Sequence, residues 1–256
     1  VNQRIESLRL QPASLWRWLW TAFNVLQFGF TLLWTAGLIS VALLLHVLSG
    51  GDRRLPLRMA SRCWAPGLLG GAGAGLEVEG LEHVDWSRPY VLVANHQSVI
   101  DICALFRAVP VPLHFLLKQE MDRVPFVGWY AKAMGMVFIR RDNRRAATAS
   151  LRRAATLVRG GAILCIFPEG TRSRDGSVAP FKPGAFQVAI DADAQVLPVA
   201  LEGTGAVLPP DGFFRVRPGP IRVRFGAPLP LATAAGPLDR QSLASQARAS
   251  VLALLR

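Results

Sequence analysis

His96 and Asp101 stand five residues apart in the stretch VLVANHQSVID, where an apolar run gives way to polar residues. A neutral imidazole near pH 7 is a good general base, and a carboxylate on its second ring nitrogen fixes the tautomer and steadies the imidazolium. Five residues is an awkward separation within one helix. It works if His96 lies in a loop and Asp101 lies in the first turn of the next helix, reaching back. The same spacing also suits a plainer arrangement, in which Asp101 only favours a helix N-terminus and His96 is a satisfied loop residue.

A second constellation, FPEGTRS at residues 167–173, also follows an apolar run, AILCIF. Glu169, Gly170, Thr171 and Arg172 would form a polar turn there. Glycine lets a backbone approach a ligand closely, and arginine offers a planar fork of donors sized for phosphate. A surface turn with a Glu–Arg pair is the plainer alternative. Lys118, Arg140 and Arg141 add positive charge that suits either the same rim or a solvated face. FKPGA, with Lys182 and Gly184, and VLPVAL, with Pro198, complete the set. No GxSxG nucleophile turn is present, and no His/Cys/carboxylate cluster has metal-ligand spacing, so no metal is expected.

These residues need a frame that brings them together. LEVEG, YVLVAN, LHFLLK, MVFIR, AILCIF, VLPVAL and IRVRFG read as strands. PFVGWYAKAMG, RRAATASLRRAATLVRG and DRQSLASQARASVLALLR read as helices, the second stopped by Gly160 and Gly161. Strands alternating with helices predict an α/β domain: a largely parallel central sheet of about seven strands flanked by helices. Ligands on such sheets bind beyond the carboxyl ends of the strands, which is where His96 and FPEGTRS fall.

Between Arg17 and Asp52 there is no charged residue. As one helix this run would reach roughly 50 Å, against a bilayer core of about 30 Å. One long tilted helix fits, as does a pair broken near Gly29 or Gly37 that dips into one leaflet. A signal peptide or a buried soluble helix are further readings. Trp16, Trp18 and Trp20 mark one end, and Arg53, Arg54, Arg58 and Arg62 follow the other, as at a lipid interface. Residues 1–62 are therefore expected to be a membrane-anchoring, membrane-embedded helical segment, and residues 63–256 the α/β domain. The glycine-rich PGLLGGAGAG between them reads as a loop.

Of the 256 residues, 51% are hydrophobic and 18% charged, a low charged share that suits contact with lipid. The net charge of +12 is carried almost entirely by arginine. It fits nucleic acid, anionic lipid or phosphorylated substrates, but no nucleic-acid-binding pattern accompanies it, and none is expected as a partner. Cys63, Cys103 and Cys165 are too few and too scattered for a disulfide framework, which points to buried thiols in a reducing compartment.

In this order and spacing the blocks resemble the glycerophospholipid acyltransferase superfamily, and within it the bacterial 1-acylglycerol-3-phosphate acyltransferases. Asn95–Asp101 matches the NHxxxxD signature, and Ile139–Arg140 resembles the apolar-Arg pair that ends the second block. FPEGTRS is the third block and the proline-centred strand at Val196–Leu201 the fourth, so the likeness covers about residues 90–201. The resemblance implies that His96 is the general base and that Asp101 orients it. It implies a substrate-binding set of Asn95, Lys118, Arg140, Glu169, Gly170, Thr171 and Arg172. It implies acyl transfer from acyl-CoA or acyl-carrier protein to the sn-2 hydroxyl of lysophosphatidic acid. No cofactor is expected; the partners are the lysophospholipid acceptor, the acyl donor and membrane lipids. The expected place is the inner, cytoplasmic membrane, with the catalytic domain facing the cytoplasm. Another acceptor, such as a different lysophospholipid or a lyso-ornithine lipid, and a non-catalytic lipid-binding role stay open.

Overall fold

The structure, a computed structural model, describes residues 12–211, 214–234 and 236–256, so positions 1–11 of the expected 1–62 segment lie outside the described residues. Seven strands form one sheet in the order β1-β7-β6-β2-β5-β3-β4. They are β1 (Ala74–Glu79), β2 (Val91–Ala94), β3 (Leu113–Lys118), β4 (Val137–Ile139), β5 (Ile163–Ile166), β6 (Val196–Glu202) and β7 (Gly219–Phe225). Every pairing is parallel except β6 with β7, in line with the expected largely parallel sheet. β2 and β5 are buried at every position, which is why they read as unbroken apolar runs rather than as alternation.

The helices are α1 (Pro12–Leu48), α2 (Arg54–Met59), α3 (Ala65–Gly71), α4 (Ile100–Ala108), α5 (Val127–Ala133), α6 (Arg144–Arg159), α7 (Gln187–Ala192), α8 (Thr204–Val207) and α9 (Arg240–Leu254). One side of the sheet is packed by α3, α4 and α5, with α1 laid over α2, α3 and α5. The other side is packed by α6, α7 and α9. The Asn143 side chain caps α6 by accepting from the Ala146 amide at 2.9 Å, and α6 stops at Gly160 as expected.

The long apolar run forms one helix. Gly29 and Gly37 do not break α1, because an interior glycine costs only about 1 kcal/mol relative to alanine and no proline interrupts the hydrogen-bond ladder. Trp16–Leu48 is long and apolar enough to cross a membrane by length and composition, and most of it is exposed.

Two expectations need correction. PGLLGG is helical, not a loop: α2, a π-helical turn at Ala60–Trp64 and α3 run on as one rod. Two of its glycines, Gly67 and Gly71, serve close approach to α1. A Cβ on Gly67 would lie 2.4 Å from the Trp34 ring, and one on Gly71 would lie 2.6 Å from Phe30. The indole of Trp34 donates to the Trp64 carbonyl at 3.3 Å, and that of Trp64 to the Thr35 hydroxyl at 3.1 Å, which locks the two helices in register. The second correction concerns the thiols: Cys103 and Cys165 are buried, but Cys63 is exposed on the helical rod.

Candidate active site

β2 and β5 are neighbours, and their chains leave the sheet on opposite faces. β2 continues into α4 on the α1 side, and β5 leads on to α7 on the other. Such a switch point leaves a crevice at the carboxyl ends of the strands. His96 follows β2 into that crevice and Phe167–Ser173 follows β5.

Asp101 lies in the first turn of α4 and is fully buried. Its Oδ2 accepts from His96 Nδ1 at 2.7 Å, from the Gln97 amide at 2.8 Å and from the Ser98 amide at 2.9 Å. A carboxylate held by two amides can only accept, so in the neutral imidazole Nδ1 carries the hydrogen and Nε2 the lone pair. Burial beside this carboxylate pushes the Cys103 thiol up to about 12, a sign of how dry the surroundings are. The imidazole stacks on Phe167 at 4.0 Å between ring centroids, and Phe167 stacks in turn on Phe115 at 6.3 Å.

The backbone of His96 is clamped from both sides by the FPEGTRS loop. Its amide donates to Glu169 Oε1 at 2.7 Å, and its carbonyl accepts from the Ser173 amide at 2.7 Å. The other oxygen of Glu169 accepts from the Ala179 amide at 2.8 Å. Burial pushes the Glu169 carboxyl above the usual carboxylate range, while the two amides and His96 pull it down. Asn95 exchanges two hydrogen bonds of 2.8 Å with the backbone of Leu201, which ties the end of β2 to β6. Both residues, expected to bind substrate, thus have their side chains engaged within the fold, and what they visibly do is hold His96 in place.

The cations form a rim. Lys118, at the end of β3, and Arg140, just after β4, line one polar pocket of about 420 Å³ together with Arg123 and Arg141. Lys118 pairs with Glu120 at 3.0 Å, and Arg140 lies 3.9 Å from Asp142. Arg141 joins this pocket to the loop by donating to the Gly170 carbonyl. Gly170 has φ 79°, and a Cβ there would lie 2.5 Å from Lys182 Nζ, so glycine lets the ammonium close over the turn. Arg172 is half-buried next to Ser173 and makes no ion pair or hydrogen bond with another described residue, while Thr171 is exposed. The structure therefore joins His96, Asp101 and Glu169 by hydrogen bonds, with Asn95 and Gly170 next to them in the chain, and Lys118 with Arg140 in the adjoining pocket. No direct contact joins Arg172 to either group.

An apolar cavity lies on the α1 side, walled by Leu38, Ile39 and Ala42 of α1, Phe106 of α4, Phe115 of β3 and Tyr130 of α5. Phe115 is shared, so the ring stack runs from the cavity wall to the imidazole. Sequence reasoning did not reveal the cavity or the role of Phe167. An apolar residue just before Pro168 was the only local signal.

The profile of the Acyltransferase family matches residues 75–202, half of the chain, and the match contains both constellations. The chain belongs to the acyltransferase family. It is 40% identical over 143 residues to a 1-acyl-sn-glycerol-3-phosphate acyltransferase of Chlamydomonas reinhardtii, covering 56% of this chain and 43% of that protein. It is 37% identical over 154 residues to the chloroplastic BAT2 enzyme of that name from Brassica napus, covering 60% and 44%. Against the human alpha form it is 31% identical over 190 residues, covering 72% and 65%. The match thus spans less than half the length of the algal and plant proteins. The solved structure of the lysophosphatidic acid acyltransferase PlsC from Thermotoga maritima superposes with a TM-score of 0.76 at 25% identity, covering 90% of this acyltransferase-family chain and 92% of that one. The family resemblance read from the motifs and the fold class both hold.

Proposed function

We propose that this chain transfers a fatty acyl group from acyl-CoA or acyl-carrier protein to the sn-2 hydroxyl of lysophosphatidic acid, forming phosphatidic acid. The observation that carries the proposal is the His96–Asp101 pair, whose Nε2 is free to accept a proton while its Nδ1 and backbone are held by Asp101 and the FPEGTRS loop. In this reading Nε2 takes the proton of the acceptor hydroxyl, and the oxygen attacks the thioester carbonyl. The tetrahedral intermediate then collapses, expelling the thiolate, which takes the proton back from the imidazolium. Asp101 steadies that imidazolium. Arg172, Arg140 and Lys118 supply charge and donors for the acceptor phosphate. The apolar cavity holds an acyl chain. α1 sits in the membrane, and the catalytic end faces the cytoplasm, where both donors are found.

The test uses the purified chain in detergent with labelled acyl-CoA, then acyl-carrier protein. Lysophosphatidic acid, lysophosphatidylcholine, lysophosphatidylethanolamine and lyso-ornithine lipid are the acceptors. Label in phosphatidic acid, lost in His96→Ala, is the expected result. Label in another lipid keeps the chemistry and overturns the acceptor. No transfer from either donor overturns the enzymatic reading.

A further inference from the structure

The turn between β3 and α5 leaves apolar surface bare beside α1. Val124 is 38% exposed and Trp129 52% exposed, and Trp129 packs on the Phe126 ring at 5.1 Å. Phe126 has φ 60° and ψ −59°, and the Val127 amide donates across it to the Pro125 carbonyl at 2.7 Å. This is the three-residue turn with a positive central φ, rare and strained for a bulky residue. Its surroundings enforce it. The Gly128 amide donates to the Val124 carbonyl at 2.8 Å, and a Cβ on Gly128 would lie 2.4 Å from the Asp122 carbonyl oxygen. The Tyr130 hydroxyl, donating to the Pro56 carbonyl at 3.1 Å, ties α5 to the rod that follows α1.

The turn sends Val127 inward to the apolar cavity and leaves Val124 and Trp129 outside. A rigid turn that displays apolar side chains to water gains nothing for the fold. It makes sense against an apolar partner, and the neighbouring surface says which one. Leu55 is exposed on the same layer, Arg123 and Lys132 flank the turn with Lys132 3.8 Å from Asp122, and Arg53, Arg54, Arg58 and Arg62 stand exposed from the residue before α2 to the π-helical turn. Exposed tryptophan and aliphatic side chains ringed by cations, continuous with a long bare apolar helix, match the headgroup layer of an anionic bilayer.

We infer that the Val124–Trp129 turn is a second membrane contact, seated in the headgroup layer next to α1 and holding the mouth of the apolar cavity against lipid. The inference rests on the reading that α1 lies in the membrane. The cavity wall is shared by α1, through Leu38 and Ile39, and by the turn and α5, through Met121, Val127 and Tyr130. An acyl chain would then pass between two lipid-seated walls without crossing water.

The test places one fluorescent label on the full chain in a Cys63→Ser background, at Val124→Cys, at Leu33→Cys on α1, or at Arg152→Cys on α6 across the sheet. Vesicles of phosphatidylglycerol and phosphatidylcholine carry a nitroxide near the headgroup end of the acyl chain. A label at 124 should lose about half of its fluorescence on vesicle binding, with the label at 152 unchanged. Quenching at 33 with none at 124 overturns the second contact and leaves the membrane reading of α1 intact. Silence at both overturns the two together. Shielding of the 124 label with rising protein concentration in the absence of lipid assigns the turn to a second copy, and the proposal falls.

Discussion

The crevice between β2 and β5 and the helical layer formed by α1, α2 and α3 are built on different principles. In the crevice the deciding contacts are polar and short: Asp101 reaches back to His96 and to the Gln97 and Ser98 amides within one turn, and Glu169 reaches His96 from the next strand end. In the helical layer they are close packing and a few hydrogen bonds between residues distant in sequence. Trp34 meets Gly67 and Trp64, and Asn24 accepts from the Val216 amide at 2.6 Å. Chemistry needs fixed residue types at fixed places, whereas close packing needs only small against large, which many sequences satisfy. Two changes should separate the regions most sharply. His96→Ala should lower acyl transfer about a thousandfold while the thermal midpoint stays within about 2 °C. A comparable loss of stability would mean that the crevice also carries the fold. Gly67→Leu should do the reverse, because a side chain there meets the Trp34 ring. Overpacking of this kind should cost about 3 kcal/mol, read by thermal unfolding in detergent, with turnover per folded molecule little changed. An unchanged midpoint would show that α1 does not dock on the rod as described.

Within the crevice, the brace around His96 differs from the cationic rim around it. The brace is held by short hydrogen bonds to Asp101 Oδ2, to both oxygens of Glu169 and to Asn95, whereas Arg172 has donors to spare. Arg172→Ala should therefore raise the KM for a phosphate-bearing acceptor about tenfold with kcat nearly unchanged, equivalent to about 1.4 kcal/mol. Arg172→Lys should recover only part of this, since lysine keeps the charge but not the planar fork. Steady-state kinetics with lysophosphatidic acid decide the matter, and an unaltered KM for the alanine variant would move the phosphate to the Lys118–Arg140 pocket.

The same division explains what the sequence made legible. His96, Asp101 and the polar turn after β5 were readable because strand ends and spacing are local signals, and parallel strands put all of them on one edge. The buried strands announced themselves as apolar runs. What stayed hidden depends on partners far along the chain. PGLLGG looks like a loop until Trp34 and Phe30 fill the space its glycines leave. The hydrogen bonds of Glu169 to the Ala179 and His96 amides, and of Asn95 to Leu201, join residues too far apart in the chain to be read from spacing. The strain at Phe126 has no sequence signal, since glycine is the residue expected at a positive φ.

Glu169 gives the smallest effect and the finest test of the brace. Its carboxyl titrates above the usual range chiefly because it is buried. The folded protein therefore holds this proton more tightly than the unfolded chain does. The burial penalty is present in full above the raised value, and it fades as pH falls from there to the ordinary glutamate range near 4.5. Over that window this group makes the fold slightly more stable on acidification, opposite in sign to a carboxylate with a depressed pKa. Function should move the other way. A protonated carboxyl has one poorer acceptor, and the His96 and Ala179 amides need two, so the clamp on the His96 backbone loosens while the fold holds. Transfer should fall with acid in the window where the Glu169 contribution to the thermal midpoint rises. Glu169→Gln, with one carbonyl oxygen for two amides, should show lowered turnover at neutral pH and lose that acid-side contribution. Midpoint and rate measured across pH for both proteins supply the check. Matching pH profiles, with only the KM altered in Glu169→Gln, would assign Glu169 to substrate binding rather than to the brace.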